Sequence, residues 1–232
     1  MSRPPDGSGV AEDRRSAAWD LYWTTVEGQL GVGPSGFIQW ALPLLGTAPG
    51  NELVEIGSGA GRDLRFLLER GFRVRGIDFS TEAVRIARLL VATLPDEVSS
   101  RGTIEQGDAE RCLSGLPAGS VSAVLGLVLY ETFSEEELGG LFAAIHRALR
   151  PGGLHLWCVR DDTHPLREKV AMVPPNQGGL PGTHVAHSFF SEARCDALSG
   201  AGFERLRLER RPETHYLFIA DRTPGGAPAP IH

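Results

Sequence analysis

The chain has 232 residues, 41% of them hydrophobic, and a net charge of −6; this is enough apolar material for one α/β domain around a single core. The acidic balance argues against nucleic acid as a partner, because binding along a phosphate backbone needs clustered Lys and Arg. Cys112, Cys158 and Cys195 are far apart with no C-x-x-C pair, which suggests neither a disulfide framework nor a zinc site, and no apolar run is long enough for a bilayer or a signal peptide, so the protein is expected to be cytoplasmic.

In chain order, residues 1–13 are rich in Pro, Gly and charge without periodicity and read as a disordered tail. Residues 14–222 are expected to form one domain, followed by a flexible Gly/Ala/Pro tail over 223–232. Trp19, Tyr22, Trp23 and Val26 recur at helical steps, so a helix carries three aromatics on or near one face. Those rings either pack on the core, as aromatic stripes usually do, or form a lid over a ligand. Phe37 to Leu45 reads as a second helix, broken by Pro43 or ended shortly after it, and Thr47-Ala-Pro-Gly50 as a turn.

Leu53, Val54 and Ile56 then form a short β-prone run that empties into Gly57, Gly59 and Gly61, and Leu64, Leu67 and Leu68 follow at helical spacing. A strand, a glycine turn that a ligand can approach closely, and a helix are predicted. The next apolar segment, Phe72, Val74 and Ile77, ends in Asp78, about twenty residues past the glycines, where a carboxylate meets a ribose in nucleotide-type α/β folds. A nucleoside derivative is the expected ligand. A dinucleotide turn is G-x-G-x-x-G/A, whereas here the spacing is G-x-G-x-G with Arg62 in the third position, and Glu55 stands two residues before the first glycine. A carboxylate there suits a cation better than a pyrophosphate.

Ser80 or Thr81 is placed to cap a helix ended by Pro95, and Thr103 to Gln106 reads as a strand leading into Gly107-Asp108-Ala109, where Asp108 either meets a ligand or caps a turn. Ser120 to Leu129 is almost entirely apolar, as a central parallel strand is, and ends at Tyr130-Glu131. Ser134 and Glu137 form a capping box, and Arg150-Pro-Gly-Gly153 turns the helix into a strand over Leu154 to Val159. From Arg160 to His187 there is no clear periodicity; this long loop leaves the carboxyl end of a parallel strand and is read as the main substrate-facing element. A last helix over Phe189 to Leu198 and strands over Phe203 to Leu208 and His215 to Ala220 complete the expected order.

Val54-Glu-Ile-Gly-Ser-Gly-Ala-Gly-Arg62 resembles the first motif of the class I S-adenosylmethionine-dependent methyltransferases, and Gly107-Asp108-Ala109, Leu125-Gly-Leu-Val-Leu129 and Leu149-Arg-Pro-Gly-Gly153 fit that family in order and spacing. The resemblance covers roughly Glu52 to Val159. It implies a Rossmann-like α/β fold: a single doubly wound, mostly parallel seven-stranded sheet with an antiparallel last strand, here with added N-terminal helices. It implies S-adenosyl-L-methionine as cofactor and methyl transfer to an acceptor by in-line displacement. The cofactor-binding residues it implies are Glu55, Gly57, Ser58, Gly59, Gly61, Asp78, Phe79, Asp108, Ala109 and Leu127. Gly57, Gly59 and Gly61 would admit the methionyl part, Glu55 would lie near its cationic end, Asp78 would hold the ribose, Asp108 with Ala109 would meet the adenine, and Leu127 would border the cofactor.

Trp19-Asp-Leu-Tyr-Trp23 is loosely similar to the N-terminal aromatic segment of the thiopurine and tellurite-resistance type enzymes, which acts as a lid. Tyr22, Trp23, Tyr130, Glu131, His164 and His187 are therefore the substrate-facing candidates; no catalytic residue is assigned, because a sulfonium methyl needs positioning more than acid or base help. Enzymes of this fold that methylate amino groups of bases or glutamine carry Asn or Asp, Pro, Pro and an aromatic after the fourth strand. This chain has Leu127-Val-Leu-Tyr130 there, which favours a small-molecule acceptor. His184-Val-Ala-His187 lacks a clear third ligand, so no metal is expected. A nicotinamide-dependent oxidoreductase and a non-catalytic S-adenosylmethionine-binding module stay as alternatives, and the methylated element, the acceptor and the choice between monomer and homodimer stay open.

Overall fold

Seven strands form one sheet in the order β3-β2-β1-β4-β5-β9-β8. The computed structural model describes residues 8–26, 33–170, 178–179, 186–200 and 202–225. The central strands β1 (Glu52–Ile56), β2 (Arg73–Asp78), β3 (Gly102–Gln106), β4 (Val121–Leu127) and β5 (Leu149–Arg160) pair in parallel. The last strand in the chain, β9 (Tyr216–Arg222), runs antiparallel between β5 and β8 (Glu204–Arg211), as expected for this fold class. Two further strands, β6 (Gly178–Gly179) and β7 (Ala186–His187), form a separate antiparallel pair.

Helices cover both faces of the sheet, and side-chain alternation decides which residues meet which layer. On one face Val54, Ile56, Trp157 and Val159 pack with Leu113 of α6 (Ala109–Ser114), with Leu138, Leu141 and Ile145 of α7 (Glu135–Ala148) and with Cys195 of α9 (Glu192–Ser199). On the other face Leu53, Ala123, Leu125 and Leu156 meet Phe37 and Ile38 of α2 (Gly36–Leu45), Leu64 and Leu67 of α3 (Arg62–Glu69), and Val91 of α4 (Thr81–Ala92). The short α5 (Asp96–Ser99) leads into β3. Parallel strands joined by helices place the loops that leave their carboxyl ends on one rim, where open α/β sheets bind ligands.

Helix starts follow local hydrogen-bond chemistry. The hydroxyl of Ser80 accepts the N–H of Ala83 at 3.1 Å, which settles the start of α4, and Ser134 and Glu137 exchange both bonds of the capping box. α2 runs through Pro43 and ends two residues later at Leu45, as expected, since a proline in the last turn removes one backbone bond. Two expectations needed adjustment. α9 starts at Glu192 rather than Phe189, since Phe190 is held extended beside Asp161 and Ser191 is the cap. The long segment after β5 is partly regular, carrying α8 (Leu166–Val170) and the β6–β7 pair.

At the N-terminus α1 (Ser8–Val26) begins inside the stretch expected to be without structure, while residues 1–7 lie outside the described residues. At the other end Thr223 is buried and its N–H donates to the Gly153 carbonyl at 3.0 Å. No helix among the described residues is long and apolar enough to cross a membrane.

Candidate functional site

The turn between β1 and α3 has left-handed backbone at Gly57, Gly59 and Gly61, with φ of 65°, 53° and 81°. At Gly59 a side chain is doubly excluded: its Cβ would fall 2.5 Å from Cζ2 of Trp23, on top of the cost of positive φ. At Gly61 the same atom would meet Cβ of Ala87 in α4 at 3.0 Å, so this glycine permits close helix packing. The N–H groups of Gly57 and Ser58 donate to the Ile77 carbonyl, which ties the turn to the end of β2.

Asp78 ends β2 and is buried, with 7% of its surface exposed. Its carboxylate accepts the N–H of Gly59 at 2.8 Å and the N–H of Ser80 at 2.9 Å. Burial pushes its pKa up to about 6 although both backbone donors pull it down. Glu55 in β1 is also buried, and its Oε2 has no hydrogen-bond partner among the described residues. Burial, reinforced by the nearby charge of Asp63 and opposed by Arg62, holds the Glu55 carboxyl well above the usual range. The Ser58 hydroxyl is likewise buried with no hydrogen-bond partner among the described residues. Asp63 is satisfied differently, by the backbone N–H and the hydroxyl of Ser35 at 2.7 and 2.5 Å.

These groups border a cavity of about 250 Å³ at the carboxyl ends of β1, β2, β4 and β5. Its walls include the glycine turn, Glu55, Asp78, Phe79, Leu127 and Arg160, and α1 closes it with Trp19, Tyr22 and Trp23. The aromatic stripe of α1 is thus part of the cavity wall. The three rings meet edge to face at 5.3 and 5.2 Å between centroids. α1 is fixed through Asp20, whose carboxylate accepts the Ser80 hydroxyl at 2.6 Å and the N–H of Glu82 at 3.1 Å, at the amino end of α4.

An adjoining cavity of about 30 Å³ is bordered by Asp78, Phe79, Gly107, Asp108, Ala109 and Leu129. Asp108 caps α6 by accepting the N–H of Arg111 at 2.9 Å, so its turn-capping role and its place on a cavity wall coexist. Leu129 borders both cavities and Val128 the larger one, and Val128 has φ of 57°. That conformation costs a β-branched residue on the order of 1–3 kcal/mol. It is held by the Val128 N–H donating to the Cys158 carbonyl at 2.8 Å.

Three expected substrate residues are displaced from the cavity. Tyr130 is fully buried, its hydroxyl 2.8 Å from Nε2 of His155 and its ring packed on Phe142 and Trp157. The chain turns inward after Leu129, so Tyr130 faces the core. Glu131 is buried as well and spends its carboxylate on Arg160, accepting both the backbone N–H, at 2.5 Å, and the Nη1 of that residue. His164 accepts the N–H of Leu166 at 3.2 Å and stacks on Phe189 with centroids 6.1 Å apart; it is absent from both cavity walls. His184 lies outside the described residues, and of His187 only the backbone is described. Among the described residues no cluster of His, Cys, Asp and Glu could hold a metal ion.

The sequence reading missed Arg160, Val128 and Thr132 as cavity residues. Arg160 had a usable signal, since it directly follows the strand predicted over Leu154 to Val159 and opens the segment read as substrate-facing. The left-handed backbone at Val128 had none.

Residues 53–153 match the family described as a methyltransferase domain. Over 144 residues the chain is 29% identical to the ubiquinone biosynthesis O-methyltransferase of Alkalilimnicola ehrlichii, covering 52% of this chain and 58% of that protein. Over 122 residues it is 28% identical to an uncharacterized methyltransferase of Synechocystis sp., covering 53% of each. The chain spans about half the length of these curated relatives. Among solved structures, that of the glycopeptide N-methyltransferase MtfA complexed with sinefungin superposes with a TM-score of 0.63 at 19% identity, over 84% of this chain and 95% of that one. At that identity the likeness is one of fold.

Proposed function

We propose that this chain, a class I S-adenosylmethionine-dependent methyltransferase by its matched domain and its fold, moves the methyl group of S-adenosyl-L-methionine to a small-molecule acceptor by in-line displacement. The observation that carries the reading is the pair of buried oxygens, Glu55 Oε2 and Ser58 Oγ, which have no partner among the described residues, at a glycine turn that leaves room for a ligand backbone. Buried acceptors without partners are costly, and a ligand bearing an ammonium group and hydroxyls satisfies them. The residues present therefore fit this cofactor.

In this reading the turn from Gly57 to Gly61 accommodates the methionyl portion, with Glu55 near its ammonium group. Asp78 keeps lone pairs beyond its two backbone bonds and accepts the ribose hydroxyls. Phe79, Asp108 and Ala109 would border the adenine, beside Leu129. When bound, S-adenosylmethionine supplies a methyl carbon on a sulfonium whose thioether leaves without acid assistance. The protein's part is to align the acceptor, exclude water and, for an acceptor that arrives protonated, give its proton a path to solvent. Trp19, Tyr22 and Trp23 do the excluding, and Leu127 and Val128 set the wall on the strand side. The relatives of stated function act on different elements, one as an O-methyltransferase and one as an N-methyltransferase, so the element methylated here is not part of the proposal.

Turnover tests it. The protein is mixed with S-adenosylmethionine and a panel of small phenols, amines and thiols, and S-adenosylhomocysteine is measured. Release that depends on one acceptor class supports the proposal. Release with none, from protein shown to bind S-adenosylmethionine, contradicts it in favour of a binding module.

A further inference from the structure

Arg160 is the last residue of β5, and its side chain enters the main cavity with 12% of its surface exposed. It is held from the protein side. Glu131, itself wholly buried, accepts its backbone N–H and its Nη1, and the ring of Tyr216 lies beside it with its centroid 5.9 Å from the guanidinium carbon. A guanidinium has five N–H donors, more than these two neighbours take up, and Nε has no partner among the described residues. The other cation on the cavity wall, Arg62, is more exposed and lies 3.5 Å from the Asp63 carboxylate. Arg160 is therefore a held, nearly dry donor group in a cavity whose other charged side chains are Glu55, Asp63, Asp78 and the more exposed Arg62.

What surrounds it narrows the ligand. The cavity is closed by the rings of Trp19, Tyr22 and Trp23, whose edge-to-face packing offers flat surfaces, and by the aliphatic side chains of Leu127 and Leu129. Flat apolar walls suit a planar ring, and a fixed guanidinium suits an oxygen pair in the plane of that ring. We propose that Arg160 is a specificity residue that binds the carboxylate of a planar aromatic acid, and that the methyl acceptor belongs to this class. The inference rests on the methyltransferase reading for the word acceptor, but not for the binding itself. Because Glu131 neutralises the pair, Arg160 acts at contact range, through directed N–H donors, and not by long-range attraction.

The test is calorimetric titration of the full chain, with and without S-adenosylhomocysteine, using benzoate and 4-hydroxybenzoate against benzamide and 4-hydroxybenzamide. Removing Arg160 alone strands Glu131 as a buried charge, so the diagnostic variant is the double change Arg160→Met with Glu131→Gln; Arg160→Lys is run beside it. The acids are expected to bind at least about tenfold tighter than the amides, the preference to vanish in the double variant, and S-adenosylhomocysteine affinity to stay within about threefold. Arg160→Lys keeps a reduced preference, because its ammonium lacks the planar fork. Equal binding of acids and amides by the wild type, no binding of either, or a preference that survives the double change overturns the proposal. Should S-adenosylhomocysteine fail to bind the wild type, the cofactor reading falls, and the comparison of acids with amides in its absence still decides the role of Arg160.

Discussion

The carboxylate of Asp78 accepts the backbone N–H of Gly59 at 2.8 Å, so the end of β2 holds the glycine turn that follows β1 in its ligand-ready shape. In the proposed function this side chain serves both architecture and binding. Asp78→Asn keeps the volume but sets an amide N–H₂ against at least one backbone donor. It is expected to lower stability by about 1–3 kcal/mol and S-adenosylmethionine affinity by at least about tenfold. Thermal denaturation and calorimetric titration of the two proteins check this.

The pKa of Asp78 makes the same residue visible by pH. Its value in the folded protein, pushed up to about 6 by burial, lies above the unfolded value near 4. The native state then holds the proton where the unfolded chain has lost it. The stabilising contribution is complete below about pH 4 and disappears as pH rises through about 6. Melting temperatures of wild type and Asp78→Asn, followed from pH 4 to 7, should therefore differ in slope, the wild type losing ground relative to the variant up to about pH 6; parallel profiles would be inconsistent with a raised pKa. Cofactor affinity has the opposite dependence, rising toward pH 6 as the carboxylate ionises and accepts the ribose hydroxyls.

Much of this was legible in the sequence because the signals are local. Glycines at Gly57, Gly59 and Gly61 announce a turn, Asp78 ends an apolar run, and the capping chemistry of Ser80 and Ser134 needs only neighbours in the chain. The fold class followed from the same repetition of strand, turn and helix. Tyr130 and Glu131 were misplaced because the direction of a side chain after a strand depends on the backbone that follows it, and the left-handed residue Val128 reverses it. Arg160 was overlooked for a related reason: its role comes from Glu131 and Tyr216, which stand 29 and 56 positions away in the chain and meet it only in the folded sheet.

Tyr130→Phe separates a core role from a substrate role. Loss of the hydroxyl leaves Nε2 of His155 without its partner, in a ring whose Nδ1 already lacks one among the described residues. A destabilisation of about 1–2 kcal/mol, or a fall in melting temperature of roughly 3–6 °C, is expected. Acceptor KM should not change. A large KM effect without loss of stability would return Tyr130 to the substrate site.

Asp20→Ala tests the closing helix. It removes the acceptor for the Ser80 hydroxyl and the Glu82 N–H while leaving the cavity residues of β1, β2 and β4 in place. Amide hydrogen exchange in α1 should speed up, with less change in the central strands, and the dissociation rate of S-adenosylhomocysteine should rise by about three- to tenfold. Unchanged exchange in α1 would mean that its other contacts, the aromatic rings and the Ser16 hydroxyl on the Phe79 carbonyl, hold the helix without Asp20.

Gly59→Ala addresses the turn directly. The added methyl meets the ring of Trp23 and forces a left-handed alanine, so a loss of about 1–3 kcal/mol is expected. The double variant Gly59→Ala with Trp23→Ala relieves the contact but not the backbone strain. Partial recovery of stability, measured by denaturant unfolding, separates the two terms.

The most direct test of the account is calorimetric titration of the full chain with S-adenosylmethionine, S-adenosylhomocysteine and NADH, with Asp78→Ala run beside the wild type. Binding of both adenosyl ligands in the micromolar range, lost in the variant and absent for NADH, is the predicted result. Binding of NADH alone, or adenosyl binding indifferent to Asp78, would contradict the site described here.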